Sequence, residues 1–129
     1  MVTARFPVGS LQLCVERSSM RGVLAGAAVS PAPGAPPWLL GACNRGGRAV
    51  AVVDIALLTG MTAEACPARW VVVVDTAAGP VGLCAEGPVA ELASDVPPLS
   101  GDVLVMMEPG TWFVDLSALP SAIEAALGV

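Results

Sequence analysis

The sequence predicts a mostly β protein built from many short strands. Apolar residues make up 55% of the chain and charged residues only 13%, so a packed core is expected. The apolar residues fall in short runs, and clusters of glycine and proline separate these runs. Such a pattern is typical of a sandwich or barrel rather than of a parallel α/β sheet. The 129 residues are enough for one compact domain, which we expect to cover residues 1–129.

Nine strands follow from the apolar runs and the turn residues between them. The longest break is the proline- and glycine-rich segment 31–37, which cannot continue a strand. The predicted strands are Arg5–Val8, Leu11–Val15, Val23–Val29, Arg48–Val53, Trp70–Asp75, Val81–Ala85, Val89–Ala93, Val103–Glu108 and Thr111–Val114.

Two short helices complete the predicted elements. Asp54, a following aliphatic segment and Gly60 are typical of a helix with an aspartate N-cap and a glycine stop. The segment Ser121–Leu127 is amphipathic, and Pro120 is tolerable in its first turn. We therefore expect a short central helix and a short C-terminal helix.

A weak internal repeat relates Val53–Leu58 to Val114–Leu119. Each segment has a strand end, an aspartate, an aliphatic residue, two spacers and a leucine. The pattern either marks two similar β units in one chain or is a chance match in an apolar sequence. In both segments the aspartate is interpreted as a helix cap.

The residue inventory argues against catalysis. The chain has no histidine and no lysine, which removes the usual bases, Schiff-base amines and phosphate-binding lysines. Its four cysteines form no CxxC pair, so a zinc site would need isolated thiolates to converge. We expect no catalytic residue, no metal and no cofactor, and we interpret most of the cysteines, which are Cys14, Cys43, Cys66 and Cys84, as small buried residues.

The charge and apolar patterns point to protein partners. Six scattered arginines against eleven acids give no basic footprint, so nucleic-acid binding is not expected. No apolar stretch is long and uninterrupted enough for a membrane helix, and no secretory signal is expected, which favours the cytoplasm. The three tryptophans, Trp38, Trp70 and Trp112, are expected in the core or between packed units.

One long stretch goes beyond composition. The segment 37–55, PWLLGACNRGGRAVAVVDI, resembles the central motif of the CheW-like chemotaxis coupling family. There a proline-rich turn leads to an aliphatic residue and Gly, then Asn-Leu-Arg-Gly, a strand and Asp-Leu. The opening Phe6–Val15, the hairpin Trp70–Val89 and the closing Thr111–Leu116 are similar to other parts of the family. The chain is also short, like the divergent family members of the myxobacterial Frz type.

The resemblance implies a fold and a function. The fold would be two small five-stranded, SH3-like β-barrels packed side by side, divided near residues 15–65 and 66–115 with the chain ends contributing. The function would be a non-catalytic adaptor that links the cytoplasmic tips of chemoreceptors to the regulatory domain of a CheA-type histidine kinase. The alternative is a scaffold of the receptor cluster that binds receptors without the kinase.

The resemblance also implies which residues bind the partner. A helical receptor hairpin would dock in an apolar groove, oriented by a turn that presents arginine. By matching position, these residues are Met20, Val23, Leu39, Leu40, Asn44, Arg45, Gly46, Gly47 and Arg48.

Two positions depart from the family pattern. The motif arginine falls at Gly46, and a glutamate that is frequent in the first half falls at Gly22. In the family these two positions lie near each other, so the two losses are expected to be linked. The short segment between Val89 and Thr111 leaves open whether the kinase-facing surface is retained.

Overall fold

The computed structural model describes residues 1–128, which form ten strands and two α-helices. The helices are α1 (Ile55–Leu58) and α2 (Leu119–Leu127). The strands are β1 (Val2–Val8), β2 (Leu11–Glu16), β3 (Met20–Ala25), β4 (Leu39–Arg45), β5 (Arg48–Val53), β6 (Trp70–Thr76), β7 (Gly79–Ala85), β8 (Ala90–Ala93), β9 (Leu104–Glu108) and β10 (Thr111–Val114).

The strands form two five-stranded sheets. Sheet I has the order β8-β1-β2-β10-β9, and sheet II has the order β3-β6-β7-β5-β4. This arrangement confirms the predicted mostly β fold of two small five-stranded units with a C-terminal helix. Sheet II takes all its strands from residues 20–85, while sheet I joins residues 2–16 to residues 90–114.

The two sheets share one connectivity. In sheet II the hairpins β6–β7 and β4–β5 meet through a parallel pairing of β7 with β5. In sheet I the hairpins β1–β2 and β9–β10 meet through a parallel pairing of β2 with β10. Asp54 follows β5 and Asp115 follows β10, so the repeated segments occupy equivalent places in the two sheets, as expected for two similar β units.

Sheet II is curled so that its two outer strands approach each other. After β3 the chain passes through a 3-10 turn, and Ser30 then bridges to Ala42 of β4 by two backbone hydrogen bonds of 2.8 and 3.0 Å. Gly41 makes this approach possible, because a Cβ at its position would lie 2.0 Å from the Ser30 carbonyl oxygen. The curled sheet is therefore held by this bridge rather than closed by a continuous ladder between β3 and β4.

Two groups of apolar side chains fill the protein. The main core lies between the sheets and is built from Phe6 and Leu13 of sheet I, valines of β5 and β6, and Leu119 of α2. A smaller core lies inside the curl of sheet II, around Val71 and Val73. Strand β6 is therefore buried on both faces, which explains its uninterrupted run of four valines. The interpretation of three cysteines as buried residues is confirmed for Cys14, Cys43 and Cys84.

The structure corrects four sequence predictions. Asp115 does not cap a helix, because α2 begins at Leu119 without a side-chain cap. Strand β4 was not expected, because it begins directly after the prolines of segment 31–37 and contains Gly41. Strand β3 ends at Ala25, and Gly26–Ala28 form a 3-10 turn instead of continuing the predicted strand to Val29. Trp70 is 40% exposed and is not a core residue, whereas Trp38 is buried.

Candidate functional site

The β4–β5 turn forms the polar part of the candidate site. Arg45 and Arg48 face each other across a two-residue turn made by Gly46 and Gly47, whose φ angles are 61° and 83°. Positive φ at both central residues is the requirement of a type I′ hairpin turn, and glycine meets it without strain. The Gly47 amide donates to Asn44 Oδ1 at 3.0 Å, which fixes the turn from within.

Arg45 connects this turn to the opposite edge of sheet II. Its Nη2 donates a hydrogen bond to the Arg21 carbonyl oxygen of β3. A Cβ built on Gly22 would lie 3.6 Å from Arg45 Nε, so the guanidinium passes directly over this glycine. Arg21 itself forms an ion pair with Asp75 of β6. The hairpin tip is thus held against β3 near the same two positions at which the chain departs from the family motif.

Gly22 therefore lies beneath the side chain of Arg45, the residue that precedes Gly46. Gly22 has no side chain that could pair with an arginine, and Arg45 satisfies part of its guanidinium with a backbone carbonyl instead. A carboxylate at position 22 would compete for the same guanidinium. The geometry explains how this sequence keeps the strand–turn contact without the usual acidic residue.

The apolar candidates divide between the two faces of sheet II. Met20, Val23 and Leu39 lie opposite valines of β6 or β5 that belong to the main core, so they share the face that looks toward sheet I. Val23 is 39% exposed on this face, at the margin of the inter-sheet core. These three residues form the margin that a docking partner could cover.

Leu40 lies on the other face. It packs against the smaller core inside sheet II together with Leu24 and Val29. The ladder shifts register between Leu39 and Gly41, and it does so again between Met20 and Gly22. Each shift changes which face the following residues occupy. An acidic residue at position 40 would therefore disturb the small core, and Val23 is the better position for testing docking.

Trp70 is a candidate that sequence reasoning placed wrongly. It pairs with Ala25 of β3, two positions beyond the pair formed by Val23 and Val72, and so it lies on the same face as Val23. Its 40% exposure leaves an aromatic side chain available next to this margin. Partly exposed tryptophans of this kind are enriched at protein interfaces. Its place at the start of a run of valines gave no signal of exposure.

The turn 44–48 carries the positive charge of the candidate site, and Arg45 connects it to β3. Among residues 1–128, ion pairs engage Arg5, Arg17 and Arg21, and neither Arg45 nor Arg48 takes part in one. Both arginines are exposed at the end of the hairpin. We refer to Met20, Val23, Leu39, Trp70 and the turn 44–48 together as the docking margin. This arrangement can bind an amphipathic surface that carries acids beside aliphatic side chains.

Comparison with known proteins identifies the class of this β fold. The family model of the CheW-like domain matches residues 3–106. The chain therefore belongs to the CheW-like domain family, a family of scaffolds and coupling adaptors of chemotaxis.

A solved structure supports the same fold. The chain is similar to the scaffolding protein TtCheW from Thermoanaerobacter tengcongensis, with a TM-score of 0.70 and 15% sequence identity. The superposition covers 92% of this chain and 90% of that one. No curated protein sequence gives a significant match. None of the helices within residues 1–128 has the length and apolar character needed to cross a membrane.

The space above Gly22 leads to a first testable prediction. We expect Gly22→Glu to be tolerated, because its Cβ would make ordinary contacts and its carboxylate could reach the Arg45 guanidinium. The free energy of unfolding should change by less than about 1 kcal/mol, since the site is exposed and screened. Urea unfolding of the four proteins in a double-mutant cycle with Arg45→Ala would measure the pair. A loss of several kcal/mol in Gly22→Glu alone would contradict the described position of Arg45.

Proposed function

We propose that the chain is a non-catalytic cytoplasmic adaptor that binds the cytoplasmic tip of a chemoreceptor at receptor clusters and couples it to a CheA-type histidine kinase. Membership of the CheW-like family supports the scaffold role. The single observation that supports receptor binding is the docking margin, in which Val23 and Trp70 are exposed on one face of sheet II and the cationic turn contacts β3 through Arg45. The chemoreceptor tip is a helical hairpin, whose aliphatic residues would cover Val23 and Trp70 while its acids meet Arg45 and Arg48.

The physics of this docking is helix-in-groove recognition. Aliphatic and aromatic side chains supply buried apolar area, at roughly 25 cal/mol for each Å² removed from water. The arginines at the turn add orientation and faster association more than they add affinity. The type I′ turn and the contact to β3 hold the Arg45 side chain in place before binding, which lowers the entropic cost of association.

A second candidate function is a receptor-cluster scaffold that does not bind the kinase. It is favoured by the short segment between Val89 and Thr111, in which β8 has four residues and all four are exposed. In this alternative the chain would occupy adaptor positions in the cluster and leave the kinase unbound. The two functions differ in one measurable property, which is affinity for the regulatory domain of the kinase.

Val23→Asp tests the proposed receptor contact. We expect binding to a purified receptor tip to weaken more than about tenfold, because the variant places an unpaired carboxylate in an apolar contact. The free energy of unfolding should change by less than about 1 kcal/mol, since Val23 is partly exposed. Titration calorimetry or fluorescence anisotropy with the receptor tip gives the affinity, and urea unfolding gives the stability.

Leu127→Asp is the matched control, because Leu127 is an exposed aliphatic residue of α2 that lies outside the docking margin. It should leave receptor binding unchanged. Equal receptor affinity in Val23→Asp and the wild type would overturn the assignment of the docking margin. The same titration with the kinase regulatory domain separates the coupling adaptor, which binds it, from the scaffold that binds receptors alone.

A further inference from the structure

Two cysteines that are 18 positions apart in the sequence lie in contact beside Asp54, the N-cap residue of α1. Cys66 lies in the segment that joins α1 to β6, and Cys84 lies in β7. Their Sγ atoms are 2.9 Å apart. Cys84 is buried and Cys66 is half-buried, so the contact lies just beneath the surface.

The backbone at both cysteines is fixed by hydrogen bonds. The Cys66 amide donates to Oδ2 of the fully buried Asp54 at 2.8 Å, which fixes the connecting segment at this residue. Cys84 lies in a central strand, opposite Val71 of β6. The two sulfur atoms are therefore brought together by the fold rather than by chance rotation of long side chains.

The geometry distinguishes between two uses of these thiols. With Asp54 they form a group of three ligand atoms within 4.8 Å of one another, which is a donor set that a metal could use. Two thiolates on one tetrahedral zinc, with bonds of about 2.3 Å, are held about 3.8 Å apart. The observed 2.9 Å is much shorter, and both Asp54 oxygens already accept backbone amides. The contact therefore fits a sulfur–sulfur bond better than a shared metal.

We propose that Cys66 and Cys84 form a reversible intramolecular disulfide, a modification site that ties the α1–β6 segment to sheet II. The oxidant is a low-molecular-weight disulfide, such as oxidised glutathione. A cleft lined by Gly9, Thr62, Glu64, Cys66 and Glu86 opens to solvent and gives the reagent a path to Cys66. Cysteine pairs of this kind in reducing compartments are usually transient and sense redox conditions.

The reaction proceeds in two exchanges. The Cys66 thiol loses its proton, and its sulfur attacks one sulfur of the small disulfide, which releases one thiolate that takes up a proton. The Cys84 thiol then loses its proton, and its sulfur attacks Cys66 Sγ and releases the second small thiolate, which is also protonated. The protein loses two electrons and two protons, and the small disulfide takes them up to become two molecules of thiol.

The surroundings of the Cys84 thiol determine which cysteine reacts first. The hydrogen bond with Cys66, the burial of the side chain and the charge of Asp54 raise the pKa of the Cys84 thiol. Cys84 therefore keeps its proton while the more accessible Cys66 reacts first. Once Cys66 carries the mixed disulfide, its thiol no longer hydrogen-bonds Cys84, and the second exchange becomes easier.

The test equilibrates the full-length protein with mixtures of reduced and oxidised glutathione, followed by acid quenching and peptide mass mapping. We expect a monomer that has lost two hydrogens and a linked peptide pair containing Cys66 and Cys84. The oxidised form should melt at a temperature higher by about 5–10 °C, because the bond closes a loop in the unfolded chain. The Cys14→Ala/Cys43→Ala variant is the matched control and should oxidise like the wild type.

Three outcomes would overturn the proposal. In the first, all four thiols stay reduced at the most oxidising mixture. In the second, the linked peptides join other cysteines. In the third, stoichiometric zinc binding is lost in either Cys66→Ala or Cys84→Ala, which would assign the pair to a metal. Because Cys84→Ala leaves a gap in a buried strand, the half-buried Cys66→Ala provides the second variant, and it should abolish both the linked peptide and the thermal shift.

Discussion

Replacing Asp54 by alanine is expected to lower the free energy of unfolding by about 2–4 kcal/mol. The carboxylate is fully buried and accepts two backbone amides, from Leu57 at 3.1 Å and from Cys66 at 2.8 Å. The first contact caps α1, and the second ties down the segment that returns the chain to β6. Alanine would leave both half-buried amides without this acceptor. Urea unfolding under reducing conditions measures the loss without a contribution from cysteine oxidation.

The matched control is Asp115→Ala. Asp115 holds the equivalent place after β10, but within residues 1–128 its carboxylate accepts only from the nearby Ser117, through the amide at 3.0 Å and the hydroxyl at 2.6 Å. A local turn of this kind is expected to contribute about 1 kcal/mol, so the control should be clearly milder. Equal losses in the two variants would show that the contact between Asp54 and Cys66 adds nothing to the cap.

Gly41→Ala should be at least as damaging, with an expected loss of about 3–5 kcal/mol. Its φ of 149° is unfavourable for any residue with a side chain, and the new Cβ would lie 2.0 Å from the Ser30 carbonyl oxygen. The clash is hard to relieve because the nearest atoms, from Ser30 and Pro31, belong to the backbone. The bridge between Ser30 and Ala42 would have to open, and the curl of sheet II would loosen.

Gly34→Ala is the control for Gly41→Ala. Gly34 also has a positive φ, of 78°, but its added Cβ would meet nothing within 4 Å. The expected loss is about 1 kcal/mol, from backbone conformation alone. If Gly41→Ala is no worse than Gly34→Ala, the close approach of β4 to Ser30 is not a source of stability. Circular dichroism and urea titration of both variants provide the comparison.

Local chemistry accounts for the parts of the fold that the sequence predicted well. A run of four valines indicated β6, and an aspartate before an aliphatic segment indicated α1. The turn at Gly46 and Gly47 also has a local cause, because it needs two consecutive residues with positive φ. Strand β4 was missed since its evidence is not local. Its pairing with β5 outweighs the weak strand preference of Gly41 and of the prolines before it.

The sequence indicated which residues belong to the candidate site, but not which face of the sheet or which contacts they have. Leu39 and Leu40 are neighbours in β4 and so face opposite sides of the sheet, but which core each one meets depends on the pairing of β4 with β5. The contact of Arg45 with β3 depends on the curl of sheet II, which no local pattern encodes. The meeting of Cys66 with Cys84 depends on the path of the segment after α1. These features follow from tertiary packing and could not be found from spacing along the chain.

The division of strands between the sheets has a consequence for the newly made protein. All strands of sheet II lie within residues 20–85, so this sheet can assemble while the rest of the chain is still being translated. The hairpin β1–β2 is made first, but its neighbours β8 and β10 are made last. An isolated hairpin is only marginally stable in water. Phe6 and Leu13 therefore stay without the neighbouring strands β8 and β10 until residues 90–114 have been made, which leaves this hairpin open to aggregation during synthesis.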